Sequence, residues 1–275
     1  MQDKHLRIFS FGEILFDVIE GTPYLGGAPL NLAAHLQKLG AESHIVSAVG
    51  RDKLGETVLA KLTELNLDSS MIAVLDKYPT GTVTVTLDER KIPAYSFGRD
   101  TAYDHIPMPE LSGNADLFCF GTLAQRAAES RATLKKLRGQ LKCPFFYDVN
   151  LRQDFYSREI LEDSMNSADL IKLNDEEIVT LAKMFGLKPE PPEFSRRFNI
   201  GTVILTLGPK GCEVYSGGKT ITSPAVEVKI VSTVGAGDAF SAAFLYHYLN
   251  GDSLRGAADA GNALAAVIAG QEGAI

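Results

Sequence analysis

The stretch Ser232 to Phe244, STVGAGDAFSAAF, is the part of the chain from which the rest is best read. An apolar run, Val228 to Val231, precedes it, and a helical pattern from Ala236 to Leu249 follows without a break. Small residues at Gly235, Ala236 and Gly237 let backbone amides come close to a ligand. At the start of a helix, unpaired N–H groups and the dipole favour an anion. Asp238 has two readings that the segment alone leaves open. It is either an acid that suits the first helical turn, or a carboxylate beside a phosphate cradle, placed to take a proton from an attacking hydroxyl.

A second small-residue segment lies near the other end, Gly26 to Ala33, GGAPLNLA. Its two glycines allow close backbone approach, and Pro29 suits the first turn of a helix that runs to Leu39 and stops at Gly40. Asn31 sits one turn in. Its amide is suited to hold sugar hydroxyls as donor and acceptor together, or to make a structural bond to a neighbouring loop. Two motifs are missing. No G-x-x-x-x-G-K-[ST] occurs, and after Gly235 and Gly237 the third position of a G-x-G-x-x-G is Phe240.

The surrounding chain is an α/β pattern. Strand-like runs at Leu6 to Phe11, His44 to Val49, Ala115 to Phe120, Pro144 to Val149, Leu170 to Leu173 and Thr202 to Leu207 alternate with helical spacing. The helices are expected at Pro29 to Leu39, Lys53 to Leu65, Ala124 to Leu137, Glu176 to Phe185, Ala236 to Leu249 and Leu254 to Ala269. That order predicts a mainly parallel sheet covered on both faces. Thr80 to Leu87, TGTVTVTL, breaks the rhythm with the period-two signature of an antiparallel strand having one wet face. Lys91 to Phe97 is its expected partner through Asp88 to Arg90, and Ile14 to Ile19 reads as a third short strand. A small sheet built from about residues 12–25 and 78–102 is either a lid or dimer surface, or an ordinary edge hairpin. Lys188 to Glu193, KPEPPE, reads as a surface loop.

Composition sets limits. The chain has 275 residues, 45% hydrophobic, enough for one domain over 1–275 with a substantial core. Lys and Arg total 27 against 34 Asp and Glu, and the net charge of -7 argues against a general nucleic-acid partner. Cys119, Cys143 and Cys212 form no C-x-x-C pair, so neither a zinc site nor a disulfide framework is expected. No secretory leader pattern opens the chain, and its apolar runs fall short of the roughly 18 residues of a membrane span. A soluble cytoplasmic protein, with no membrane partner, is expected.

Gly26 to Gly40, GGAPLNLAAHLQKLG, and Ser232 to Phe244 together resemble the two signature motifs of the ribokinase-like (PfkB) carbohydrate kinases, in the expected order and over nearly the whole length. The resemblance implies a ribokinase-like three-layer sandwich with a protruding β-sheet lid that often mediates a homodimer. It implies ATP and Mg2+ as well. Asp17, in GEILFD, matches an acid that holds sugar hydroxyls, and Gly27 and Asn31 match further sugar contacts. Asn174 and Glu177, in NDEE, match an N-x-x-E motif organising the magnesium and phosphate region, Glu177 through water. Thr206, Gly208 and Gly211 match a nucleotide loop, and Asn262 a residue of the adenine pocket. Gly235, Ala236 and Gly237 match the anion hole, and Asp238 the catalytic base. Asp17, Glu177, Thr206, Gly208 and Asn262 each also admit a plain structural role.

Asp148 to Arg152, DVNLR, and Phe97 to Ala102, FGRDTA, resemble segments shared by fructokinases and 2-keto-3-deoxygluconate kinases. Arg99 and Arg152 would face an acidic sugar or make structural ion pairs. The resemblance favours fructose, phosphorylated on its 6-hydroxyl, over 2-keto-3-deoxygluconate, with a nucleoside third. A non-catalytic sugar- or nucleotide-binding protein is the reading of a different class. Where the second motif commonly opens with Asp, this chain has Ser232, which removes a carboxylate that helps bind a monovalent cation in relatives. The chain stops soon after Gly273, from which a less enclosed nucleotide pocket is expected.

Overall fold

The computed structural model of the protein describes residues 5–87, 93–111 and 113–275. Its strands are β1 (Arg7–Phe11), β2 (Leu15–Ile19), β3 (Thr22–Gly26), β4 (Glu42–Gly50), β5 (Ile72–Leu75), β6 (Gly81–Leu87), β7 (Pro93–Phe97), β8 (Leu117–Gly121), β9 (Phe145–Asp148), β10 (Leu170–Asn174), β11 (Thr202–Thr206), β12 (Cys212–Ser216) and β13 (Lys219–Ser223). Its α-helices are α1 (Ala28–Leu39), α2 (Lys53–Glu64), α3 (Ala128–Gln140), α4 (Arg158–Ser167), α5 (Asp175–Phe185), α6 (Pro191–Phe198), α7 (Ala236–Leu249) and α8 (Leu254–Ala269).

Nine strands form one sheet in the order β13-β12-β11-β10-β9-β8-β1-β4-β5. From β11 to β5 every pair is parallel, and β12 and β13 close one edge antiparallel. A parallel sheet is buried on both sides, which is why these strands read as apolar runs. In β8, Leu117 and Cys119 pack with α1 and α7, whereas Phe118 and Phe120 pack with the layer of α3, α4, α5 and α6. The result is the expected three-layer sandwich.

Helix α7 is apolar around its circumference because it lies between α1 and α8. The helices approach closely: a Cβ at Gly261 would lie 2.8 Å from the Phe240 ring. Among the described residues no helix is long and apolar enough to cross a membrane.

Four strands make the separate small sheet, in the order β3-β2-β6-β7. Thr84 and Thr86 are exposed while Val83 is buried, the one-sided wetting that the Thr-Val alternation predicts. Strand β6 runs antiparallel to β7 but parallel to β2. The reason is topological: β2 follows β1 and β6 follows β5, so both leave the body from the carboxyl edge of the same parallel sheet. The turn expected at Asp88 to Arg90 lies outside the described residues.

Several elements depart from the sequence reading. Pro191 and Pro192 open α6 instead of extending a loop, because Pro is compatible with the first helical turn, where its missing N–H is not needed. The helix expected from Ala124 starts at Ala128, after a 3-10 turn over Leu123–Arg126. The hairpin of β12 and β13 turns at Gly217 and Gly218, both at positive φ, a Gly-Gly signal that the sequence carries openly.

Candidate active site

The carboxyl ends of β1, β8, β9, β10 and β11 open on one side of the sheet, the side from which the small sheet projects. Ligands in open α/β sheets bind outside these strand ends, and the sequence motifs gather here.

On the acceptor side, Gly27 lies at φ 117, and a Cβ there would be 2.4 Å from the Glu13 carbonyl oxygen. This close approach seats the start of α1 against the end of β1, and Pro29 continues the helix. Asn31 then projects into the cleft, where its Nδ2 donates to Asp238 Oδ2 at 2.7 Å. One hydrogen bond thus joins motifs 207 residues apart. Asp17 lies on β2, paired across the sheet with Tyr24 and Val83. Burial raises its pKa, and the nearby charge of Arg152 opposes the rise. Arg152 is exposed, and its charge also acts on Glu13 and Asp238, so it belongs to the cluster. Arg99 is exposed in the segment that returns from β7 to the body.

On the phosphate side, Gly235 caps α7 at φ 79 and packs against the backbone and Cβ of Ala274. Gly237 is exposed, and a Cβ there would lie 3.7 Å from Lys172 Nζ. The turn therefore packs on protein through Gly235 and opens through Gly237 beside a cation. Lys172 is buried in the middle of β10 and donates to both oxygens of Asp148 at 2.8 Å. Burial pulls its pKa down, but the charges of Asp148 and Glu177 outweigh that and hold it above its ordinary value. Lys172 stays charged. Asp238 is pushed up to about 6, by burial first and the Asp148 carboxylate second, against the Asn31 bond and the charges of Lys172 and Arg152.

Asn174 and Glu177 form a capping box at the start of α5. The Glu177 carboxylate accepts from the amides of Leu151 and Asn174, both at 2.8 Å. Its oxygens are committed to backbone, so Glu177 holds the DVNLR loop in place and fits a metal only through water. Among the described residues no three acids, histidines or cysteines are grouped to hold a metal ion.

Thr206 ends β11, and a 3-10 turn over Gly208–Lys210 follows. Gly211, at φ 92, admits the backbone of Ser223 to Ala225, where a Cβ would be 2.0 Å from the Ser223 carbonyl oxygen. Asn262 is buried, and its Nδ2 donates to Ser223 and to the Pro224 carbonyl. It tethers the segment after β13 to α8, the structural role that the sequence left open. Val226, Val228, Ile230 and Val231 are exposed along that segment, with Val267 exposed on α8. They supply an apolar strip that continues from the backbone packed on Gly211.

The sequence reading found Asp238, Asn31, Gly27 and Asp17, and the structure brings all four together. It missed Lys172 and Glu13. A lone Lys inside the apolar run Leu170 to Leu173 was the available signal for the first, since a charge in a buried strand needs a partner.

Known proteins share the family and the fold of this chain. A model of the pfkB family carbohydrate kinases matches residues 2–275. A sugar kinase of Pyrococcus horikoshii is 32% identical over 263 residues, covering 86% of this chain and 81% of the relative. Its crystal structure in complex with ATP superposes with a TM-score of 0.85 at 30% identity, over 97% of this chain and 93% of that one. An ATP-dependent 6-phosphofructokinase of Thermoanaerobacterium thermosaccharolyticum is 29% identical over 96% of this chain and 88% of its own length. A fructokinase of Vibrio cholerae O395, solved with fructose, ADP and calcium, gives a TM-score of 0.86 at 25% identity, over 99% of this chain and 95% of that one.

Proposed function

Because the chain belongs to the pfkB family of carbohydrate kinases, and so is an ATP-dependent phosphotransferase acting on a sugar hydroxyl, we propose that it is a fructokinase with Asp238 as its base. The observation that carries the role of Asp238 is the 2.7 Å bond from Asn31, which aims the carboxylate at the cleft beside an exposed glycine turn and the Lys172 ammonium. With Oδ2 held by Asn31, Oδ1 accepts the proton of the sugar hydroxyl as that oxygen attacks the γ-phosphate. The Gly235 and Gly237 amides and the charge of Lys172 face the negative charge that develops on the transferred group, while the Ala236 amide donates to the Thr233 carbonyl at 3.3 Å and holds the turn. Asp17 and Arg152 hold the rest of the acceptor. Mg2+ would neutralise phosphate charge, carried on the nucleotide and on water, a setting that suits its hydration. The small sheet acts as a lid that excludes water during transfer.

Fructose is supported by the fructokinase names among the relatives and by the DVNLR and FGRDTA segments. The phosphofructokinase relative makes fructose 6-phosphate the acceptor to test beside it. A homodimer formed through the lid is part of the same proposal, since the lid exposes Ile19, Tyr24 and Tyr95 on the face that carries Asp17.

The test is a coupled ADP-release assay with fructose, fructose 6-phosphate, 2-keto-3-deoxygluconate, ribose and nucleosides. Fructose is expected to give the highest kcat/KM. A higher value for fructose 6-phosphate or 2-keto-3-deoxygluconate overturns the substrate assignment, and no turnover with any acceptor overturns the catalytic one.

A further inference from the structure

Below the acceptor cluster lies a cavity with room for about one water-sized group, 20 Å3, between the ends of β1, β8 and β9 and the start of α1. Ala28, Pro29, Leu32 and Phe146 supply apolar wall, and Ser10, Glu13, Asp148 and Asn150 supply the polar edge. Glu13 is 4% exposed and Ser10 is fully buried. Among the described residues Glu13 Oε2 and Ser10 Oγ have no hydrogen-bond partner, and neither does Asn31 Oδ1.

Buried polar atoms are nearly always paired. A carboxylic acid kept only for packing would be replaced at no loss by an apolar side chain of similar size, because an unpaired buried oxygen costs stability. Two such atoms on one cavity, one strand-turn away from Asp17, describe a place where fold stability has been given up. Positions of that kind are characteristic of ligand recognition.

We propose that Glu13 and Ser10 form a subsite that reads one hydroxyl of the acceptor sugar, making Glu13 a specificity-determining residue. The cavity admits a hydroxyl and not a ring, so the sugar lies above it, among Asp17, Asn31 and Asp238, with a single hydroxyl directed down. Asp148 and Asp238 face Glu13 as like charges and Arg152 as an opposite one. Burial chiefly, with those carboxylates, pushes Glu13 up to about 7, so near neutral pH it has a substantial un-ionised fraction able to donate as well as accept. A site built to bond a hydroxyl rejects the analogue that lacks it, because its own polar atoms are then left unpaired.

This inference rests on the acceptor being a sugar. It is tested with the best sugar of the acceptor panel and its monodeoxy analogues, on the wild type and on Glu13→Leu, Glu13→Gln and Ser10→Ala, with kcat, both KM values and thermal melting. In the wild type, one deoxy position is expected to lower kcat/KM about ten- to a hundredfold. In Glu13→Leu that penalty falls to a few-fold, the KM for sugar rises, the KM for ATP holds, and the melting temperature is equal or higher. Glu13→Gln, which keeps a donor and an acceptor, retains most of the discrimination, and Ser10→Ala loses part of it. If Glu13→Leu melts lower and keeps the wild-type pattern across the analogues, Glu13 is structural and the subsite is wrong. If the wild type phosphorylates no sugar, the acceptor reading fails first and the subsite falls with it.

Discussion

At the scale of single residues, the site is a balance of closely placed charges. Asp238 and Asp148 are held beside Lys172 and Arg152, and burial with like-charge repulsion leaves Asp238, the proposed base, at about 6. A base works ionised, so kcat/KM is expected to fall as pH drops below about 6 and to level off above it. Asp238→Asn is expected to lower kcat by about 10²–10⁴ while ATP binding by calorimetry persists. The sign for stability is opposite. A carboxyl whose pKa is raised from 3.8 to about 6 favours the fold when protonated, and that contribution is lost as pH rises through the folded value. Asp238→Asn should therefore raise the melting temperature at pH 8 and leave it nearly unchanged at pH 3.5. Asp238 and Asn31 were legible because glycine-rich backbone and capping leave marks in the sequence. Glu13 and Lys172 were harder to read, because their meaning lies in a buried unpaired oxygen in one case and in a buried pairing with Asp148 in the other.

At the scale of elements, loop contacts fix where the helices begin. Gly27 has φ 117 and no room for a side chain. Gly27→Ala is expected to shift the start of α1, moving Asn31 away from Asp238. A displacement of about 1 Å in such a site costs about 10² in rate, so kcat/KM should drop by tens-fold with a lower melting temperature. The connections of the small sheet are tied together by His105. Its ring stacks on Tyr78 before β6, with centroids 3.5 Å apart, and pairs with Asp100 after β7 and Glu129 of α3 at 2.7 and 2.9 Å. Burial lowers the His105 pKa, but Glu129 and Asp100 outweigh it and leave it above the ordinary 6.5. The tie is fully present below pH 6.5 and weakens as pH rises through the higher folded value. Both acids are largely exposed, so the effect is modest, under about 1 kcal/mol for each pair. Hydrogen exchange at β6 amides, corrected for intrinsic rates, should be faster at pH 8.5 than at 5.5, and His105→Gln should remove most of the difference.

At the scale of the whole molecule, two sheets divide the work. The large sheet, clamped between helix layers, fixes Asp238, Lys172 and the turn after β11, while the small one carries Asp17. If lid faces join two copies, Tyr24→Asp with Tyr95→Asp should turn a dimer into a monomer in sedimentation, and the melting curve of the body should change little. A wild-type monomer at micromolar concentration would remove the lid from that role. The sequence by itself determined the alternation of strands and helices, the parallel sheet, the strands of the small separate sheet and the two glycine-rich turns. These follow from local periodicity and backbone freedom, which neighbouring residues encode. Only the tertiary structure decided that β2 and β6 run parallel, that Asn262 tethers a loop, that Glu177 is committed to two amides, and that Glu13 is buried with an unpaired oxygen. Those facts depend on which distant groups share a dry volume, and neither hydrogen-bond partners nor desolvation can be read along a chain.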